Sequence, residues 1–261
     1  MSPPRLTIAI PLYRGRAWLR NVASTIARLP VDARIVLSDE VGSDDAPSLL
    51  ARRFANDARI VVRVRRGPPG WREHCNALIA ENESPLFALL PQDDTIAPGH
   101  YEALVAALTQ APDAGMAFGQ LIAEHQDGRR VEHPPPSIEL GRSLPWIEAV
   151  LLERVWNLGI PFRAVIHREV LTTIPGTPGD AFADQVWVFG MALRRHLLHV
   201  PEAVYLKRYH AQNTHGHWTP PTGAQRRLEM IERVRQAFPD EREAAPVIGF
   251  IDQTMRLRRR G

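Results

Sequence analysis

The stretch Ser84-Pro-Leu-Phe-Ala-Leu-Leu-Pro-Gln-Asp93-Asp94-Thr-Ile-Ala-Pro98 decides the fold. An apolar run stops at two adjacent carboxylates, and a proline suited to a helix start follows; this is the pattern of a buried strand passing through a loop into a helix. Acids at the carboxyl end of such a strand lie at the edge of an open α/β sheet where ligands bind, and their oxygens suit a hard divalent cation together with phosphate oxygens. The same two acids equally well end the strand and cap the helix that follows.

Upstream of this stretch, strands and helices alternate. Leu6–Ile10 reads as a strand, Pro11-Leu-Tyr-Arg-Gly15 as a loop, and Trp18, Leu19, Val22, Ile26 and Leu29 recur at helical spacing. Arg34–Ser38 is a second strand, followed by the acidic loop Asp39–Asp45 and a helix over Ala46–Phe54. Ile60–Val64 is a third strand, Trp71–Ala80 a helix, and the opening stretch a fourth strand ending at Gln92. Such alternation predicts a mostly parallel sheet with right-handed crossovers. No Gly-x-Gly-x-x-Gly follows the first strand and no Gly-Lys-Ser/Thr loop occurs, so ordinary dehydrogenase and phosphate-loop sites are excluded.

Beyond residue 112 the rhythm changes. Met116–Glu124 and Arg130–His133 flank an Asp-Gly turn and predict a hairpin. Leu144–Arg154 reads as a helix, Phe162–His167 as a strand, Ala181–His196 as a helix with Asp184 in its first turn, and Ala203–Tyr209 as a strand. Helices over about 223–238 and 243–257 close the chain.

The 261 residues carry 32 Lys and Arg against 29 Asp and Glu, a net charge of +3 that is too small for a nucleic-acid footprint. Lys207 is the only lysine. The single cysteine, Cys75, excludes an internal disulfide and fits a reducing compartment. The N-terminus lacks a signal-peptide pattern, which predicts a cytoplasmic protein. The basic end Met255–Gly261 reads as a solvated helix terminus or as a peripheral contact with anionic lipid.

In this order the pieces resemble glycosyltransferase family 2, the inverting sugar-nucleotide transferases of GT-A fold, over roughly residues 5–213. The resemblance rests on Thr7–Tyr13, on Ser38-Asp39 with Gly42-Ser43-Asp44, and on Gly70-Trp71 with Asn76-Ala-Leu78. It continues through Leu89–Asp94 with Pro98, Ala183-Asp184 before a helix, and Tyr205-x-x-Arg208-Tyr-His210. It implies a Rossmann-like central sheet with a nucleotide-sugar half (1–112), an acceptor and catalytic half (113–219) and a C-terminal helical extension (220–261).

It further implies transfer of a sugar from a nucleotide diphosphate sugar, a UDP-sugar, to the hydroxyl of a glycan, lipid-linked or small-molecule acceptor. Pro11 and Tyr13 would wall the base and Asp39 would accept its imide hydrogen; Arg66, Asn76 and Gln92 would contact the nucleotide. Asp93 and His210 would hold Mn²⁺ or Mg²⁺, backed by Asp94 and Arg208, and Asp184, with Asp180 as alternative, would be the general base. The segment Asn213–Trp218 would form a lid. Pro91, Ala183 and Glu40-Val41 depart from the family pattern. They leave open a non-catalytic sugar-nucleotide or glycan binder, and a sugar-phosphate nucleotidyltransferase is the other alternative. Trp146, Trp156, Trp187 and Trp218 either stack on an acceptor sugar or belong to the core.

Overall fold

The computed structural model describes residues 4–40, 42, 44–66, 70–133, 160–173, 183–193, 196–211 and 223–257. The predicted helix 144–154, Asp180, the segment 213–218, three of the four tryptophans named above and the terminal arginines 258–260 lie outside them. Strands β1 (Leu6–Leu12), β2 (Arg34–Asp39), β3 (Ile60–Val64) and β4 (Leu86–Leu89) run parallel, with α1 (Leu19–Ile26), α2 (Ala46–Arg53) and α3 (Trp71–Ala80) between them. β1 is central and reads as an almost unbroken apolar run because helices cover both its faces; Ile8 and Ile10 are closed to solvent.

The fourth strand is shorter than predicted. It ends at Leu89, and residues 91–94 leave the sheet in a turn closed by the Asp94 N–H donating to the Pro91 carbonyl at 3.1 Å. Pro91 has no N–H for a ladder, so the chain must leave there. A two-residue strand, β5 (Thr95–Ile96), and α4 (His100–Gln110) follow.

Next come β6 (Ala114–His125), β7 (Arg130–His133), β8 (Val165–His167), α5 (Arg168–Thr173), α6 (Ala183–Ala192) and β9 (His196–Tyr209). One sheet holds all these strands in the order β3-β2-β1-β4-β8-β6-β9-β5, with β7 paired to β6. β8 is antiparallel to both β4 and β6, so those two run the same way and β9, parallel to β6, joins them. The predicted hairpin forms, with Gly128 at φ 81° in its turn. The helix predicted to reach His196 stops at Ala192, and β9 takes over at His196. Helices α7 (Gly223–Ala237) and α8 (Glu241–Leu257) pack in sequence onto α6, burying Met230, Val234 and Ile251.

β9 contains a bulge. Its partners on β6 jump from Gly119↔Val200 to Gln120↔Val204, so Pro201–Ala203 is extra chain. Gly119 is required there, because a Cβ at that position would lie 1.8 Å from the Ala203 carbonyl oxygen. The bulge re-aims the second half of β9, from which the Tyr205 hydroxyl and the Arg208 backbone N–H reach Asp94 in the turn at 91–94.

Candidate active site

Two neighbouring acids at that turn have opposite surroundings. Asp93 is partly open to solvent, and its Oδ2 lies 3.0 Å from Nε2 of His210, just beyond the end of β9. The His210 ring packs on Trp18 with centroids 4.6 Å apart. Asp94 is 3 % exposed and points inward. It accepts the Tyr205 hydroxyl at 2.8 Å and the Arg208 backbone N–H at 3.0 Å, and Nε of Arg163 is 3.4 Å away. Burial pushes the Asp94 carboxyl up, with Arg163, Tyr205 and Arg208 working against that rise and Asp93 adding to it. Asp94 is thus the anchor that aims Asp93.

The rest of the turn is held from α1. Asn21 donates to the carbonyls of Gln92 and Asp94, both at 2.8 Å, and accepts from Nη1 of Arg208 at 2.6 Å. The Arg208 guanidinium also stands 3.6 Å from Glu124, so this partly exposed side chain ties α1 and β6 to β9. Gln92 receives the Tyr13 N–H at 3.2 Å and donates to the Tyr13 carbonyl at 2.7 Å. This reciprocal pair locks the loop after β1 to the loop after β4.

Asp39 ends β2 in register with Leu12, so it shares the sheet edge with Asp93, and it is 0 % exposed. Pro11 is half-buried in β1 opposite Ser38, whereas Tyr13 is 46 % exposed with the Arg14 guanidinium 5.2 Å over its ring. Arg66 is exposed just past β3, and Asn76 is half-buried in α3. Asp44 turns to local work: it accepts the N–H groups of Ala46 at 2.9 Å and Arg16 at 2.8 Å. Beneath Asp39, Ser38 takes Nε of Arg65 at 3.0 Å and meets Nε2 of His74 at 2.8 Å. Burial and the Arg65 charge push His74 down to about 4.

Asp184 lies half-buried in the first turn of α6. Its charge acts on Arg163, Lys207 and Tyr209, and Arg163 and Lys207 also respond to Asp94. Asp184 and Asp94 thus both act on the charges of Arg163 and Lys207. Trp187 does not face a ligand: it is fully buried against Phe162 at 5.3 Å, which in turn meets Trp71 at 5.7 Å.

Sequence reasoning missed Asn21, Arg163 and Lys207. Asn21 offered one weak signal, a polar residue on the apolar face of α1, and Lys207 another, as the lone lysine in an arginine-rich chain. For the metal expected at Asp93 and His210, a carboxylate oxygen beside an imidazole nitrogen is a suitable donor pair for Mn²⁺. Position 91 offers no ligand, and among the described residues no group of three His, Cys, Asp or Glu side chains gathers around an ion site. An ion held by Asp93 and His210 would therefore need further oxygens from elsewhere, which a diphosphate could supply.

No family model matches the chain, and no curated protein matches it. Solved structures do match. Residues 1–349 of S. aureus TarS in complex with UDP-GlcNAc align with a TM-score of 0.70 at 13 % identity, over 96 % of this chain and 72 % of that one. The mannosyltransferase PcManGT of Pyrobaculum calidifontis, in complex with GDP-Man and Mn²⁺, aligns with a TM-score of 0.58 at 16 % identity, over 96 % of this chain and 69 % of that one. No helix of the described residues is long and apolar enough to cross a membrane. With the strand order and the acid-bearing edge, these likenesses identify the architecture: the chain has the GT-A glycosyltransferase fold.

Proposed function

We propose that the chain is an inverting glycosyltransferase of the family 2 type, moving a hexosyl group from a UDP-sugar to an acceptor hydroxyl. The observation that carries this reading is the meeting of Asp93 with His210 at 3.0 Å, at the same sheet edge as Asp39. Residues 1–112 then serve the donor and 113–219 the acceptor. The nucleotides named in the two aligned complexes, UDP-GlcNAc and GDP-Man, support a nucleotide-sugar donor.

Asp39 and Tyr13 take the base on this reading. Asp39 is closed to solvent here, so a base that reaches it must first open a path. Asp93 and His210 hold the divalent cation, which when bound supplies Lewis-acid stabilisation of the departing diphosphate. Asp184 accepts the acceptor's hydroxyl proton as that oxygen attacks the anomeric carbon; the bond to the nucleotide breaks, its electron pair stays on the phosphate oxygen, and the configuration inverts. Asp94, Asn21 and Arg208 keep Asp93 in place.

Release of UDP on mixing UDP-sugar, acceptor and Mn²⁺, abolished by EDTA and by Asp93→Ala, is the expected result. Pro91 favours a second reading, a non-catalytic sugar-nucleotide binder. Donor binding with no turnover across a broad acceptor panel would establish that reading instead.

A further inference from the structure

A 3₁₀ turn, Gly15–Trp18, runs straight into α1, so Trp18 and Asn21 stand three positions apart on one side of the helical segment. Each meets one member of the Asp93–His210 pair. Asn21 grips the turn on either side of Asp93, through the carbonyls of Gln92 and Asp94 at 2.8 Å each. The Trp18 ring meets the His210 imidazole, with centroids 4.6 Å apart and planes tilted by 46°. β9 makes its last pairing on β6 at Tyr209 with His125, so side-chain packing rather than the ladder sets where the His210 ring lies. Trp18 is itself half-buried against the core. Its approach is fixed by the Gln92 hydrogen bonds to Tyr13 and by the Arg16 N–H donated to Asp44 at 2.8 Å.

We propose that Trp18 is the positioning residue that holds the His210 imidazole with Nε2 toward Asp93, so that the start of α1 fixes both halves of the cation-binding pair. A metal-binding imidazole must be held in one orientation, or part of the binding free energy goes into ordering it. Tilted ring pairs at centroid separations of roughly 4.5–7 Å are mutually stabilising, and the indole offers a broad surface for such a contact. Trp18 acts through His210 and supplies no ligand of its own, because the indole N–H only donates. The role rests on the reading of Asp93 and His210 as cation ligands; the ring contact itself does not.

The test is calorimetric titration of UDP into the full chain with Mn²⁺ and, separately, with EDTA. Trp18→Leu keeps apolar bulk on the core and should weaken UDP binding about tenfold with Mn²⁺, as loss of a group that orients a metal ligand does, and leave it unchanged in EDTA. Trp18→Phe should restore most of the loss. The pair Trp18→Leu/His210→Ala should bind UDP with Mn²⁺ no more weakly than His210→Ala alone, because Trp18 works through that ring. Without metal, ¹⁹F spectra of protein labelled with 5-fluorotryptophan identify Trp18 by the resonance missing from Trp18→Phe, and that resonance should move in His210→Ala. Wild-type affinity in Trp18→Leu, an equal loss in EDTA, additive losses in the double variant, or a Trp18 resonance indifferent to His210→Ala would overturn the role and leave the transferase reading in place. A wild-type chain whose UDP binding gains nothing from Mn²⁺ would overturn it together with the cation. The expected coupling in a protein that turns over no donor would uphold the role and remove the transferase reading.

Discussion

Tyr205 donates its phenolic hydroxyl to Asp94 at 2.8 Å, joining the middle of β9 to the turn after β4 across 111 positions of the chain. Because Arg163 reaches the same oxygen, the carboxylate is the hub that fixes both strands. Tyr205→Phe removes one of several partners and should cost about 1–3 kcal/mol of unfolding free energy. Asp94→Ala strands the buried Arg163 cation and should cost about 3–5 kcal/mol. Urea unfolding of the two variants checks the order, and equal losses would contradict the hub.

Asp93 and Asp184 should separate kinetically. Asp184→Asn is expected to lower kcat by about 10²–10⁴ while donor binding persists, whereas Asp93→Ala should weaken binding of UDP in the presence of Mn²⁺. Calorimetry with UDP, beside initial rates, distinguishes the two. Full activity in either variant would remove the role assigned to that residue.

The Gln92 amide is committed to the Tyr13 backbone at both ends. Gln92→Leu should therefore free the loop after β1, raising hydrogen exchange at residues 12–16 with a stability cost of about 0.5–1.5 kcal/mol. Unchanged exchange there would show that the loop is held by other contacts.

Gly119 lies against the bulge backbone, with no flexible side chain to give way. Gly119→Ala should cost about 1–3 kcal/mol or more, because the added methyl must push the Ala203 carbonyl aside. Thermal unfolding reads the cost, and a neutral substitution would mean that the bulge can shift freely.

His74 and His100 are both buried, and burial holds both down to about 4. The unfolded chain takes up these protons near the ordinary histidine value of about 6.5, so between 6.5 and 4 it binds more protons than the folded one. Stability should therefore fall as pH drops through that window, by up to roughly 3 kcal/mol for His100. Denaturant midpoints of wild type and His100→Leu between pH 4 and 7 isolate this contribution, and parallel profiles would contradict it.

The sequence alone determined the alternating order of the first four strands and the placement of Asp39 and Asp184 at element ends, with Asp93 in the loop that follows the fourth strand. Apolar runs, helical spacing and punctuation by Pro and Gly are local, and each is set by whether a segment of a few residues can bury one face. Motif order likewise announced the meeting of Asp93 with His210. Only the tertiary structure separated the work of Asp93 from that of Asp94, because identical neighbours differ in what the distant Tyr205, Arg163 and Arg208 supply. It also decided that β8 enters antiparallel between β4 and β6, that β9 bulges after Val200, and that Trp187 belongs to the core. These outcomes depend on contacts between segments tens of residues apart, where burial, not propensity, chooses the partner.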